Sequence, residues 1–144
     1  MDKTMIIDTI SQALTDQPVR LAYIYGSFVT GRVRRGRDID VAVVAEPDKT
    51  IDEAALAVAV QKQLGIDQPE VDLRLIDLNS APVFLRNILK DGRPILVKNE
   101  TERIDFEVRA MKNYYDSAYL RDFMTQNMYQ QIKEDNYGRR PHYH

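Results

Sequence analysis

Leu21-Ala22-Tyr23-Ile24-Tyr25-Gly26-Ser27, ten further residues, and then Asp38-Ile39-Asp40-Val41-Ala42-Val43-Val44 form the stretch whose reading decides the fold. The first half is an apolar run that stops at Gly-Ser, where a buried strand delivers a tight turn and turns backbone N–H groups toward an anion. The second half opens a strand with two carboxylates. Side chains alternate across a strand, so Asp38 and Asp40 share one face while Ile39 and Val41 take the other. Two acids held that close oppose each other's ionisation unless a positive charge sits between them. Oxygen ligands without Cys or His suit a hard ion, and Mg²⁺ prefers one or two carboxylates completed by water and substrate phosphates. The stretch therefore reads as metal-assisted chemistry on a nucleotide.

The strands around it follow from the same periodicity. Residues 5–14 place Met5, Ile6, Ile7, Ile10 and Leu14 at helical spacing and stop before Asp16-Gln17-Pro18, where proline blocks continuation. A strand follows over 20–25, with Leu21, Tyr23 and Tyr25 on one face, and then a short helical turn over 28–31. A loop with Arg32, Arg34, Arg35 and Arg37 leads back to Asp38. Two readings of those arginines stand: a solvated surface, or cations beside a phosphate site. Residues 50–64, carrying Ile51, Ala54, Ala55 and Val58, read as a helix stopped by Gly65. Alternation resumes over 70–76, with Val71, Leu73 and Leu75 on one face and Asp72 and Arg74 on the other. A short helix over 82–90 and a last strand over 93–97 complete the core, with Pro94 suited to an edge.

From 100 to 129 neither proline nor glycine interrupts the chain. Ile104, Val108, Met111, Tyr115, Tyr119 and Phe123 recur at three- and four-residue steps, the stripe of one long helix or a helix pair. Such a stripe is usually core, although a helix following a small domain is also suited to docking on a partner. The reading is an α/β (α+β) domain with a small mixed sheet backed by helices. Its core spans 1–98, a C-terminal helical segment 99–130 and a flexible, aperiodic tail 131–144.

Gly26-Ser27, the ten-residue spacing and Asp38-x-Asp40 resemble the signature of the DNA polymerase β-type nucleotidyltransferase superfamily. The short chain most resembles its minimal nucleotidyltransferase (MNT) branch, the antitoxin partners of HEPN-domain toxins. The resemblance covers roughly the first hundred residues. It departs at Arg37, where the family usually carries a small residue. It implies that Gly26 and Ser27 hold the β- and γ-phosphates of ATP, that Asp38 and Asp40 carry two Mg²⁺ ions, and that Asp72 supplies the third carboxylate, next to the acceptor hydroxyl. Arg37 joins the nucleotide-binding set. The implied reaction moves AMP from ATP to a hydroxyl, on a tyrosine, of a partner HEPN ribonuclease toxin, in a hetero-oligomer. Two alternatives are a non-catalytic nucleotide-binding module that neutralises a partner by binding, and a small-molecule nucleotidyltransferase of the aminoglycoside type.

Composition bounds these readings. At 144 residues the chain fits one domain, with no cysteine for disulfides or thiolate metal sites. The lack of cysteine and of an apolar leader favours the cytoplasm. No apolar run approaches the ~20 residues of a membrane span. A net charge of −2 argues against general affinity for nucleic acid. The pattern also lacks a Walker A Gly-Lys-Ser/Thr and a three-glycine dinucleotide turn. Ser27 has no histidine before His142 to act as its base.

Overall fold

A computed structural model describes residues 1–31 and 38–139. The order is α1 (Lys3–Thr15), β1 (Val19–Tyr25), α2 (Ser27–Thr30), β2 (Ile39–Ala45), α3 (Glu53–Leu64), β3 (Val71–Leu75), α4 (Pro82–Asp91), β4 (Arg93–Val97) and α5 (Glu100–Arg139). The four strands form one mixed sheet in the order β3-β2-β1-β4. β1 runs antiparallel to both β2 and β4, whereas β2 and β3 are parallel. Pro94 sits in β4, an edge strand, where a missing N–H is tolerated.

Alternation along the strands divides the core in two. On one face Ala22, Ile24, Val41, Val43, Val71 and Leu73 pack with Ile6, Ile10 and Leu14 of α1 and with Leu56, Val60 and Leu64 of α3. On the other, Leu21, Tyr23, Ala42 and Val44 pack with Leu85 and Ile88 of α4 and with Phe106 and Ala110 of α5. Polar ties fix the helices at their ends. The Asp2 carboxylate accepts from the N–H of Met5 at 2.8 Å, and the Asp52 carboxylate from that of Ala55 at 3.1 Å, each capping a first turn. Ser11 donates to the Ile95 carbonyl at 2.7 Å, pinning α1 to the edge strand.

Two helix faces differ from those that the sequence suggests. In α3, Ala54, Ala55 and Val58 face solvent, with Val58 65% exposed, and the buried residues are Leu56, Val60 and Leu64. Asp52 starts this helix later than expected, and the i, i+4 row from Leu56 is the one that meets the sheet. In α5, Ile104, Val108, Tyr115, Tyr119 and Phe123 are more than half exposed, while Phe106 and Ala110 carry the packing. Both faces of this helix bear apolar residues, and docking against α4 selects between them. The Tyr23 hydroxyl strengthens that choice by donating to Glu107 at 2.6 Å. Burial and this bond to a carboxylate push the Tyr23 phenol well above its ordinary range.

The long segment is a single helix of 40 residues, about 60 Å of rise. Asn99 caps it by accepting from the N–H of Glu102 at 3.0 Å. It continues past 130 to Arg139, so the expected aperiodic tail from 131 begins as helix. None of the described helices is long and apolar enough to cross a membrane.

Candidate nucleotide and metal site

Tyr25 stands opposite Asp40 in the antiparallel β1/β2 ladder, and Asp40 stands opposite Asp72 in the parallel β2/β3 ladder. Neighbouring strands lie about 4.8 Å apart. The three side chains therefore form a row across the sheet on the face covered by α4 and α5. The register brings together two carboxylates that are distant in sequence.

The first helical residue of α2 is Ser27, and Gly26 precedes it with φ 79° and ψ −158°, a region that side chains avoid. A Cβ placed on Gly26 would overlap Oδ2 of Asp40. The Asp40 carboxylate thus rests directly against the turn backbone, and a side chain at this position would have to push it aside. Gly26→Ala is expected to destabilise the fold by about 1–3 kcal/mol through the forced dihedral alone. It should also displace Asp40, seen as a lower melting temperature and weaker Mn²⁺ binding together.

Asp38 lies one residue before β2, with its side chain exposed. The strand ladder therefore fixes Asp40 but leaves Asp38 at its mouth. Partial burial raises the Asp40 carboxyl above its ordinary value; Asp72 and then Asp38 raise it further, and Arg74 acts against them. The Tyr25 phenol is pushed up to about 12 by burial, then by Asp40 and Asp72, again opposed by Arg74. Arg74 shares the Asp72 face of β3 and lies 3.8 Å from its Oδ2. Its guanidinium also stands over the Phe84 ring at 5.9 Å, and Phe84 meets Tyr25 edge to face at 6.0 Å.

These acids fit a hard divalent cation in chemistry: all donors are oxygen, and their mutual repulsion is what a dication relieves. Among the described residues no three potential ligands are gathered into a ready-made metal cluster. Mg²⁺ does not need one, since water and phosphate oxygens fill most of its six positions. The paired Asp40 and Asp72, with Asp38 at the entrance, offer oxygen donors of the kind that such an ion takes. Arg37 lies outside the described residues.

Sequence reasoning found Gly26, Ser27, Asp38, Asp40 and Asp72 as candidates. It missed Tyr25 and Phe84 as walls of the site. Alternation alone sets Tyr25 on a strand face with Leu21 and Tyr23, and only the register of β1 against β2 sets it beside Asp40.

A mixed four-stranded sheet that carries acids beside a Gly-Ser turn defines the chain as an α+β protein. Residues 8–101 match the polymerase β nucleotidyltransferase family, and the chain belongs to it. Among curated proteins it is similar to the protein adenylyltransferase MntA of Shewanella oneidensis, 30% identical over 97 residues. That match takes in 67% of this chain and 66% of the relative, so the aligned part spans just under two-thirds of the relative's length. Among solved structures, a toxin–antitoxin complex with AMP-PNP matches with a TM-score of 0.66 at 25% identity, over 85% of this chain and 97% of that one. The MNT antitoxin complex of the tri-AMPylated Shewanella oneidensis HEPN toxin matches in fold, with a TM-score of 0.67 at 20% identity, over 88% and 98% of the two chains.

Proposed function

We propose that this chain is a Mg²⁺-dependent protein adenylyltransferase that moves AMP from ATP to a hydroxyl, on a tyrosine, of a HEPN-family toxin and so acts as its cytoplasmic antitoxin. The observation that carries this reading is the Asp40–Asp72 pair set against the Gly26 turn, in a chain of the nucleotidyltransferase family. The similarity to a protein adenylyltransferase and to a toxin–antitoxin complex supports a protein acceptor and a toxin partner.

In this reading Gly26 and Ser27 hold the β- and γ-phosphates, with Arg37 as a further triphosphate contact. Asp38, Asp40 and Asp72 hold the metal, two ions when both positions fill. Bound Mg²⁺ supplies positive charge against the α-phosphate and the departing oxygen. The acceptor oxygen attacks the α-phosphorus, the bond from that phosphorus to the bridging oxygen of the β-phosphate breaks, and pyrophosphate leaves. Asp72, set next to the acceptor hydroxyl by the family resemblance, would lower that hydroxyl's pKa or take its proton. The Gly26 turn and the row of acids mainly position and neutralise.

A second reading, neutralisation by binding alone, is favoured by the exposed apolar residues of α5. Titration against the toxin separates the two. An enzyme turns over, so protection should appear well below one equivalent with ATP and Mg²⁺ and vanish in Asp38→Asn/Asp40→Asn. Protection by binding follows molar ratio. Strictly stoichiometric protection by both forms overturns the catalytic reading.

A further inference from the structure

Arg74 is the cation nearest the row of acids among the contacts that the structure shows, and the transfer chemistry above gives it no part. It pairs with Asp72 at 3.8 Å through Oδ2, while its other side lies over the Phe84 ring at 5.9 Å. Asp72 is directly opposite Asp40. The pair is accessible, with the Arg74 side chain 57% and that of Asp72 41% exposed. An ion pair so open to water is weak and readily exchanged. Phe84 gives the guanidinium a second resting place that does not depend on Asp72.

We propose that Arg74 is a positioning residue that competes with a divalent cation for the Asp72 carboxylate, so that it sets the metal affinity of the site. This rests on the adenylyltransferase reading but goes beyond it. A guanidinium on Asp72 neutralises one acid of the pair and keeps it facing Asp40. A metal ion that takes the same carboxylate must displace Arg74, which then stays beside the site on Phe84. The electrostatic reach of Arg74 extends across the row, since its charge also acts on Asp40 and Tyr25. Metal binding is thereby weakened until a polyanionic nucleotide arrives, whose phosphates add ligands for the ion and an alternative partner for the freed guanidinium.

The test is Mn²⁺ binding to the full chain, followed by electron paramagnetic resonance without nucleotide. Arg74→Gln and Arg74→Ala are each expected to tighten Mn²⁺ about three- to tenfold, from removal of one unit charge a few Å from the ion. Arg74→Lys keeps the charge and should remain within about twofold of wild type. In an Asp72→Asn background Arg74→Gln should tighten binding markedly less than in wild type, because the contested carboxylate is gone and only the charge acting on Asp40 is removed. A structural role for Arg74 would not produce that non-additivity. Unchanged or weaker Mn²⁺ binding in both Arg74→Gln and Arg74→Ala, with wild type binding normally, overturns the competition and leaves the enzyme reading standing. Failure of wild type to bind Mn²⁺, even with ATP, overturns both.

Discussion

Asp40→Asn, alone or with Asp38→Asn, is expected to reduce transfer by at least about 10³-fold, roughly 4 kcal/mol of lost transition-state stabilisation, while the chain stays folded. The amide keeps the shape of the side chain against the Gly26 turn but can no longer anchor a cation by charge. Without divalent metal the same change should stabilise. The Asp40 carboxyl is raised in the folded protein above its ordinary value, by burial first and then by Asp72 and Asp38. A folded-state pKa above the unfolded one means that ionisation disfavours the fold. The penalty is absent below the unfolded value, grows as pH rises through the window above it, and is complete once the folded carboxyl has ionised. Melting curves in chelator should show Asp40→Asn gaining on wild type as pH rises above about 4, with no gain below that. A gain that persists at low pH would place its origin in packing instead of charge.

The sheet was legible because its signal is local. Alternation over 71–75 and the apolar run into Gly26 specify strands and faces with period two, and the proline and glycine stops mark their ends. That Asp40 and Asp72 each lie on a strand was legible for the same reason. What sequence could not place was pairing. That Asp40 lies between Tyr25 and Asp72 depends on β2 being antiparallel to one neighbour and parallel to the other, a property of the whole sheet. Helix faces failed differently. In α5 the period of Ile104, Val108, Tyr115 and Tyr119 is a true helical stripe, yet the opposite face holds Phe106 and Ala110 and is the one that α4 covers. Periodicity identifies an amphipathic helix, and a helix with two apolar faces gives it two equal answers.

The second face of that ambiguity yields the remaining prediction. Met124 and Met128 follow Phe106 and Ala110 by 18 residues each, 124 − 106 and 128 − 110, which is five full turns at ~3.6 residues per turn. They continue the face that the domain buries lower down, where Phe106 is 2% and Ala110 0% exposed. Here, however, Met124 is 60% and Met128 58% exposed, and Leu120 and Ile132 beside them 55% each. Every side chain over 122–135 is exposed, and none from Phe123 to Ile132 is charged. A lone uncharged helix of this kind gains little from water, and its cohesion has to come from packing. In the antitoxin reading the toxin supplies that packing. Met124→Lys/Met128→Lys is therefore expected to leave the isolated chain as stable as wild type, since neither residue touches its core, and to weaken toxin binding by at least about 100-fold, ~3 kcal/mol, as loss of two buried anchors does. Calorimetric titration against the toxin, with melting curves of the isolated chain as control, measures both halves. Unchanged affinity would assign recognition to the opposite stripe of Tyr115, Tyr119 and Phe123, and the equivalent lysine substitutions at Tyr119 and Phe123 would then carry the loss.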